Sequence, residues 1–300
     1  MRRYCLLTVF LLAAFSLRIG VCFAQQAPVL KAVNLLCESL ASPDCIDLAN
    51  PRMSWQLSSR LRNTMQSAYR IIVSSSPENA AKNTGDLWDS QKQASAKSIL
   101  IPYGGHSLAS RQTVYWKVKV WTTDGRVSAW SPVAHWSMGL LQPSDWSAKW
   151  IGYDGVFSAD EKPDDHFTRL AARYLRKEFI AKHPVKRATA YISGVGLYEL
   201  YLNGKKTGSQ VLAPGPTDYA KRVFYNRFDV TPALKPGGNA IAVILGNGRF
   251  VPLRQHLADT TNNCVNYGFP KVLLQLEIEY ADGKKERICS DDSWLISGDG

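Results

Sequence analysis

The chain has 300 residues, 45% of them hydrophobic and 20% charged, which excludes a disordered protein and allows one large domain or two of ordinary size. Lysine and arginine outnumber aspartate and glutamate by 36 to 25, for a net charge of +11. Because the basic residues are scattered as on solvated strand faces and form no dense cluster, this charge does not predict nucleic-acid binding.

Residues 1–24 have the pattern of a secretory signal peptide. Two arginines near the start precede an apolar stretch, residues 6–17, that is too short to span a bilayer comfortably, and Cys22-Phe23-Ala24 is an acceptable small-residue cleavage site. The alternative is a lipoprotein signal acylated at Cys22. Both interpretations predict an exported protein, in the periplasm, at the cell surface or outside the cell, that meets a membrane only through export or a lipid anchor. Removing residues 1–24 lowers the net charge to +8.

Four cysteines remain after the signal, namely Cys37, Cys45, Cys264 and Cys289. Their spacings match no zinc motif. Cys37 and Cys45 flank a short loop and could form a disulfide in an oxidising compartment. Because Cys37 lies in a strand-like run, a buried free thiol fits the sequence equally well.

Residues 25–139 predict a first β-sandwich. Short apolar and aromatic runs recur at regular spacing, and residues such as Tyr69, Ile71 and Val73 alternate along a strand, so that one face is wet and one dry. Trp55 and the closing run SAWSP resemble a fibronectin type III domain, in which such aromatic residues pack in the core. The predicted strands are VLKAVNLLCE, RMSWQLSS, QSAYRIIVSSS, LWDSQKQAS, SILIPY, TVYWKVKVWTTDG and RVSAWSPVAHWSMG.

Residues 140–172 predict a linker that also contains the first strand of the next domain, at Trp150-Ile151. The stretch that follows, DGVFSADEKPDDHFTRLAA, is acidic, polar and contains proline, which is typical of a surface loop. Its acidic residues and histidine lack the regular spacing and the glycine of a calcium loop. They are therefore predicted to be solvated: Asp160, Glu161, Asp164, Asp165 and His166.

Residues 173–300 predict a second antiparallel β-sandwich. Asn203-Gly204 tolerates the positive φ of a type I′ hairpin, and Asp282-Gly283 marks another hairpin. Between Arg249 and Pro270 lies a loop too polar for a core, and loops of that length are usually functional or disordered. The predicted strands are YLRKEFIA, RATAYIS, LYELYLNG, KRVFYNRFDV, NAIAVILGN, KVLLQLEIEY and KERICSDDSWLIS.

Three ordered stretches of this second part, YISGVGLYELYLNGKKTG, LAPGPTDYAKRVFYNRFDVT and NAIAVILGNG, resemble the N-terminal β-sandwich domain of bacterial α-L-rhamnosidases, glycoside hydrolase family 78. With its flanks, the resemblance spans well over half of the chain. It implies a jelly-roll fold for residues 173–300, incomplete at its C-terminus. It also implies a secreted enzyme that removes terminal α-L-rhamnose from glycans or glycosides by inversion.

In that family the catalytic acids lie on a helical barrel, which the resemblance places beyond residue 300, so no catalytic residue is assigned. Inversion needs two carboxylates about 6.5–9.5 Å apart. The close pairs inside the chain have better explanations, because Glu277 and Glu279 belong to the wet face of a strand and Asp291-Asp292 to a turn. These 300 residues alone are therefore predicted to be inactive as a hydrolase.

Three loops of the second sandwich are expected to meet at one end, namely residues 214–219, residues 247–250 and the long loop that contains Asn262, Asn263 and Tyr267. A sugar site needs an aromatic face for C–H groups and planar polar groups for hydroxyls. In the family this domain is in some members a rhamnose-binding module that uses calcium, which implies calcium as a cofactor. The candidate carbohydrate-binding residues are Asp218, Tyr219, Asn247, Arg249 and Phe250.

The chain departs from the family pattern at two points in this candidate site. Pro216 stands where family members commonly have a tryptophan, and Arg249-Phe250 stands where they commonly have Trp-Tyr. Each lost tryptophan removes stacking worth about 0.5–1.5 kcal/mol beyond area burial. In the alternative interpretation, Asp218 and Asn247 are turn residues that bond their own backbone.

The sequence thus favours the N-terminal, carbohydrate-binding-type accessory part of an exported α-L-rhamnosidase that acts on L-rhamnose-containing glycans. A stand-alone exported carbohydrate-binding or adhesion protein made of two sandwiches, with no enzymatic role, is the alternative. A β-galactosidase-type enzyme that also opens with a sandwich is the third.

Overall fold

The computed structural model describes residues 30–159, 161–163, 168–251 and 267–299, and these ranges are built mainly of β-strands. Two antiparallel β-sandwiches follow one another along the chain, which confirms the predicted fold class. Several of the predictions made above fall on residues outside the described ranges, namely the signal peptide, Asp160, Asp164, Asp165, His166, Asn262, Asn263 and Cys264.

The first sandwich contains seven strands, as the sequence predicted: β1 (Leu30–Cys37), β2 (Arg52–Ser59), β3 (Gln66–Ser74), β4 (Trp88–Asp89), β5 (Ile101–Pro102), β6 (Thr113–Thr122) and β7 (Ala134–Ser137). One sheet has the order β1-β2-β5, and the other has the order β4-β3-β6-β7. Trp55, Trp116 and Trp136 are fully buried in the core. The indole Nε1 of Trp55 donates to Gln66 Oε1 at 3.1 Å, so its one polar atom is satisfied inside the core.

A short helix interrupts this sandwich where the sequence analysis predicted no element, since the predicted strand QSAYRIIVSSS ends at Ser76. Helix α1 (Pro77–Ala81) begins three residues after the end of β3, and the Ser76 hydroxyl caps it by accepting a hydrogen bond from the Asn79 N–H at 3.1 Å. Ser76, Pro77 and Glu78 are a serine cap, a proline at the first helical position and an acid in the first turn. This is the usual sequence pattern of a helix start, so the signal was present.

Twelve strands follow in the described residues, and all but β9 and β10 belong to the second sandwich: β8 (Ile151–Gly152), β9 (Lys162–Pro163), β10 (Thr168–Arg169), β11 (Arg173–Ala181), β12 (Val185–Val195), β13 (Leu197–Leu202), β14 (Lys205–Lys206), β15 (Tyr225–Asp229), β16 (Gly237–Gly246), β17 (Lys271–Tyr280), β18 (Lys285–Cys289) and β19 (Leu295–Ser297). One sheet has the order β14-β13-β16-β11-β19 and the other the order β15-β12-β17-β18, while β9 and β10 form a separate hairpin. Ile151 pairs with Val272, so β8 joins the second sheet as predicted.

The last predicted strand is in fact two strands in different sheets. β18 pairs with β17, whereas β19 pairs with β11 on the opposite sheet. Between them the Asp291 carboxylate accepts the Ser293 N–H at 3.0 Å, which confirms the predicted turn at Asp291-Asp292. The chain therefore crosses from one sheet to the other within this turn.

The predicted hairpin at Asn203-Gly204 is confirmed, with φ of 50° and 78° and strands β13 and β14 paired on either side. Asn203 also bonds through its side chain, because Nδ2 donates to Ala233 O at 2.8 Å and Oδ1 accepts the Ala240 N–H at 3.0 Å. The residue therefore supplies both an unusual backbone conformation and a link between neighbouring turns.

Replacing Asn203 with alanine should lower the free energy of unfolding by about 2–3 kcal/mol, because the variant loses these hydrogen bonds and places a Cβ-bearing residue at positive φ without local compensation. Asn203→Gly removes the same hydrogen bonds but tolerates the backbone, so it should lose less. Urea unfolding of the two variants separates the contributions. An alanine variant as stable as the glycine variant would show that the positive φ costs nothing here.

The two sandwiches are docked through the guanidinium of Arg111, in the turn before β6. Its Nε and Nη2 donate to the Glu277 carboxylate at 2.7 and 2.8 Å, and its Nη1 donates to Asp145 Oδ1 at 2.7 Å. Burial alone would raise the pKa of Asp145, but hydrogen bonds from Ser110, the Gln142 N–H and Arg111 outweigh it and lower that pKa. Arg111 thus joins the first sandwich, the linker and the second sandwich at one point.

This docking corrects the prediction that Glu277 and Glu279 lie on a solvated strand face. Their side chains are only 19% and 21% exposed. The first sandwich covers Glu277, while Lys186 lies over Glu279 with Nζ 2.7 Å from a carboxylate oxygen. Alternation along β17 located the face correctly, but it carried no information on what covers that face.

Aromatic rings complete the same junction. Trp146 of the linker contacts Tyr225 and Tyr191 edge-on, with ring centroids 5.5 and 6.4 Å away, and the Leu140 N–H donates to the Tyr225 hydroxyl at 2.8 Å.

Cys37, Cys45 and Cys289 are free thiols in this structure. Burial, together with a contact to the Cys45 thiol, raises the pKa of Tyr225 well above its ordinary value.

Candidate functional site

The described residues of the three predicted loops meet at one end of the second sandwich, and we call this region the loop end. Tyr219 contacts Phe250 edge-on at 5.3 Å between ring centroids and Tyr267 at 5.5 Å. Phe250 and Tyr267 stack at 5.5 Å with an interplanar angle of 21°. One ring comes from the loop before β15, one from the turn after β16 and one from the segment before β17, so the aromatic cluster ties all three together.

The cluster rests on a small apolar core of its own. Phe250 is 8% exposed and packs with Val251 and Leu170, while Tyr219 lies half-buried beside them. Phe250 is therefore a supporting ring, whereas Tyr267, at 41% exposure, is the ring that faces solvent. Leu170, which the sequence assigned to a solvated linker, closes this core from the side.

Asn247 is joined to this small core through Leu170, and its side-chain acceptor has no partner among the described residues. Its Nδ2 donates to the Leu170 carbonyl at 3.1 Å, and its backbone carbonyl accepts the Val251 N–H at 3.3 Å. Its Oδ1 is buried and has no hydrogen-bond partner in the part of the chain that the structure describes. A buried acceptor without a partner costs free energy, so a ligand donor placed there would be stabilised.

The charged residues of the candidate set flank the cluster and are exposed. Asp218 forms a turn, since its carbonyl accepts the Lys221 and Arg222 N–H groups, and its carboxylate lies 2.9 Å from Lys221 Nζ. Arg249 is exposed near Tyr219, where burial raises the pKa of the tyrosine and the arginine's charge opposes that rise. The turn role of Asp218 agrees with the alternative interpretation, while its carboxylate still faces solvent.

The oxygens described at the loop end do not form a calcium cage. Calcium takes about six to eight oxygen ligands, several of them carboxylates. Asp218 supplies the one carboxylate among the candidate residues, and within the described ranges no group of three or more His, Cys, Asp or Glu residues could hold a metal ion. We therefore assign calcium no role in ligand binding at the loop end.

A buried ion pair holds the linker against this end of the sandwich. Arg173 Nη1 lies 3.0 Å from Glu161 Oε2, with side chains 0% and 3% exposed, and Nη2 donates to the Gly155 carbonyl at 2.8 Å. The prediction that Glu161 is solvated is therefore wrong. Burial alone would raise the pKa of Glu161, but hydrogen bonds from the Phe157 N–H and Arg173 outweigh it and lower that pKa.

Two family models match the chain. The model described as Rha78A-like, N-terminal immunoglobulin domain matches residues 32–142, and the model described as alpha-L-rhamnosidase N-terminal domain matches residues 183–300. Each covers one of the two sandwiches. Within the described residues, no helix has the length and apolar character needed to span a membrane.

Curated relatives and solved structures agree with these matches. An alpha-L-rhamnosidase of Formosa agariphila is 39% identical over 84% of this chain and 27% of its own length, and one of an Alteromonas species is 37% identical over 84% and 27%. The structure of alpha-L-rhamnosidase from Dictyoglumus thermophilum superposes with a TM-score of 0.78 at 39% identity, over 89% of this chain and 29% of that one.

The chain belongs to the N-terminal region of the glycoside hydrolase family 78 α-L-rhamnosidases. It spans about a quarter of the length of the two curated rhamnosidases named above. A Streptomyces avermitilis α-L-rhamnosidase, solved in complex with L-rhamnose, has a TM-score of 0.76 at 25% identity, over 90% of this chain and 41% of that one.

All five candidate residues lie inside the rhamnosidase N-terminal domain match, whereas Leu170 and the Glu161–Arg173 pair lie in the segment between the two matches. Sequence reasoning found the loops of this rhamnosidase domain but missed the linker that supports them. One signal was available, because Arg173 occupies an inward position of β11 in register with Leu175. A charged residue at an inward strand position requires a buried partner.

Proposed function

We propose that this chain is the accessory N-terminal part of an exported α-L-rhamnosidase, and that its loop end binds L-rhamnose units of a glycan. The observation that carries the proposal is the convergence of Tyr219, Phe250 and Tyr267, together with an Asn247 Oδ1 that has no hydrogen-bond partner among the described residues. An exposed ring offers a face to the C–H groups of a sugar, and an amide oxygen accepts a hydroxyl proton. Asp218 and Arg249 add an acceptor and a donor at the rim.

Export is part of the same proposal and is supported by the sequence of residues 1–24, with its arginines, its apolar stretch and its small-residue cleavage site. Outside the cytoplasm an enzyme encounters glycans as polymers. A rhamnose-binding module would hold the enzyme on such a polymer and so raise the local concentration of substrate.

We also propose that hydrolysis depends on a catalytic domain outside this chain. Each carboxylate that the sequence singled out as a close pair forms an ion pair with a cation: Glu277 with Arg111, Glu279 with Lys186, Asp291 with Lys177 and Asp292 with Lys149. The hydrogen bond from Lys186 lowers the pKa of Glu279. A general acid needs a raised pKa, so the pKa of Glu279 is shifted in the wrong direction for that role in glycoside hydrolysis.

Isothermal titration of the chain with L-rhamnose tests the binding role. Tyr267→Ala should weaken binding between about twofold and tenfold, the range expected for loss of one aromatic contact of about 0.5–1.5 kcal/mol. Asn247→Leu should weaken it further, because the buried acceptor disappears. Tyr115→Ala, a half-buried tyrosine of the first sandwich, is the matched control and should bind like the unaltered chain.

Absence of heat from L-rhamnose, or equal weakening by the Tyr115 control, would contradict binding at the loop end. The catalytic part is tested separately with an aryl α-L-rhamnoside. The chain should release no more phenol than a heat-inactivated sample, and turnover above that level would refute the accessory role.

A further inference from the structure

A second concave site lies at the junction of the two sandwiches, away from the loop end. This cavity of about 490 Å³, which we call the junction groove, is floored by the outer face of the sheet that contains β12 and β17 and is bordered by Arg111 of the first sandwich. Its volume lies within the range of small-ligand sites, about 300–1,000 Å³. Along β12 the lining residues Arg187, Thr189 and Tyr191 lie eight, six and four residues from Val195, which packs at the loop end; this is roughly 26 to 13 Å at about 3.3 Å per residue.

The strand register lays out the groove as rows of polar side chains. Thr189 on β12 lies opposite Glu277 on β17, which in turn lies opposite Arg287 on β18. In the next row Arg187 lies opposite Glu279, which lies opposite Lys285. Arg287 and Lys285 therefore border both rows on the β18 side, Arg187 borders the second row on the β12 side, and carboxylates run along the middle.

The cations of the groove outnumber its carboxylates and are not fully used by them. Five cations line it, against the three carboxylates of Glu277, Glu279 and Glu286; the cations are Arg111, Arg187, Arg227, Lys285 and Arg287. Arg187 reaches Glu279 at only 3.4 Å, and its side chain is 54% exposed. Arg287 is 48% exposed, and within the described residues Lys285 forms no ion pair. These three side chains have donors free for an anionic ligand.

The combination of cations and carboxylates in the groove determines which kind of anionic ligand fits it. A polyanion with a charge on every unit would be repelled by the three carboxylates on the groove floor. A ligand with one anionic group among several hydroxyls fits better, because the carboxylates and Thr189 accept hydroxyl protons while the arginines bind the charge. Tyr191 supports the floor of the groove from below, since it is only 2% exposed and the Arg111 guanidinium lies 5.9 Å from its ring centroid.

We propose that the junction groove is a separate saccharide site that takes an acidic sugar unit, one carrying a carboxylate or a sulfate ester, on Arg187, Arg287 and Lys285. These three cations supply the charge-assisted donors for the anionic group, and the hydroxyls face Glu277, Glu279 and Thr189. This site is independent of rhamnose binding at the loop end, and both sandwiches must be docked for it to form because Arg111 closes one side.

The test is isothermal titration of the full chain with three probes: D-glucuronate, D-glucose 6-sulfate and neutral D-glucose. At least one acidic probe should bind, more weakly at high salt, and glucose should bind at least about tenfold more weakly than that probe. Arg187→Gln combined with Arg287→Gln should weaken the acidic probe by about tenfold or more, because two charge-assisted donors are lost. Both side chains are half exposed, so the fold should survive, and unfolding curves check this.

Arg126→Gln, a partly exposed arginine of the first sandwich paired with Asp124, is the matched control and should bind like the unaltered chain. Tighter binding of glucuronate identifies a carboxylate ligand, and tighter binding of the sulfate identifies a sulfate ester; either supports the shared chemistry. Binding of none of the probes, equal binding of glucose, or equal binding by the double variant would overturn the proposal. Rhamnose titration of the double variant should be unchanged, so failure here is distinguishable from failure at the loop end.

Discussion

Replacing Arg173 with alanine is expected to lower the free energy of unfolding of the second sandwich by about 3–5 kcal/mol, the usual cost of leaving a buried charge without its partner. The Glu161 carboxylate loses its ion pair, and the carbonyls of Gly155 and Ala171 lose their donors, all in a site from which water is excluded. Hydrogen exchange should then rise along β11 and in the β9–β10 hairpin.

Arg176→Ala is the matched control, because Arg176 lies on the same strand and pairs with Glu178 at the surface, with side chains 55% and 72% exposed. An exposed pair contributes little, so its loss should leave the unfolding curve nearly unchanged. The double variant Arg173→Met with Glu161→Leu should recover part of the loss, since no charge stays buried alone. Equal stability of Arg173→Ala and Arg176→Ala would contradict this account.

The effect of Arg173→Ala should also depend on pH. The Glu161 pKa is lowered in the folded chain from its ordinary value of 4.5, so the ion pair contributes its full stability above that value. The contribution is lost as the pH falls through the lowered folded pKa. The difference in unfolding free energy between the unaltered chain and Arg173→Ala should therefore be constant near neutral pH and shrink in acid.

The second large effect is expected at the junction. Arg111→Ala should lower the free energy of unfolding by about 2 kcal/mol and loosen the docking of the two sandwiches, because Glu277 and Asp145 lose a shared partner in a mostly buried place. The loss is smaller than for Arg173 because Glu277 keeps Arg287 at 3.2 Å and Asp145 keeps the Ser110 hydroxyl.

Small-angle scattering and limited proteolysis report the loosening directly. In Arg111→Ala the radius of gyration should rise, and cleavage should appear in the linker around residues 140–150. Arg126→Ala removes a comparable guanidinium from the same sandwich at an exposed site and should change neither measurement. An unchanged radius and an uncut linker in Arg111→Ala would show that the aromatic contacts of Trp146 alone hold the junction.

The strands and turns of this protein could be predicted because their signals are local. Alternation placed β12 and β17, and Asn203-Gly204 marked a hairpin whose two positive φ values few other residue pairs tolerate. Helix α1 was missed because the predicted strand was extended to Ser76, which caps the helix, and no element was assigned to the residues after it. The helix-start signal of Ser76, Pro77 and Glu78 was therefore present in the sequence but was not used.

The candidate site was only half predictable. Loops that join neighbouring strands meet at the end of a sandwich, so the approach of Tyr219 and Phe250 follows from the strand order. The support from Leu170 and Arg173 depends on how an acidic linker folds back, and an acidic composition alone favours solvent. The junction groove could not be predicted from strand patterns, because its walls come from two domains whose docking depends on Arg111.

The most direct test of the proposed function is a titration of the ¹⁵N-labelled chain with L-rhamnose, followed by two-dimensional amide NMR. The account predicts shifts confined to residues 215–220, 247–251 and 267–269, with the first sandwich and the junction groove unaffected. Saturable shifts at those positions would support a rhamnose-binding module at the loop end. A spectrum that does not change, or shifts that lie elsewhere in the chain, would contradict it.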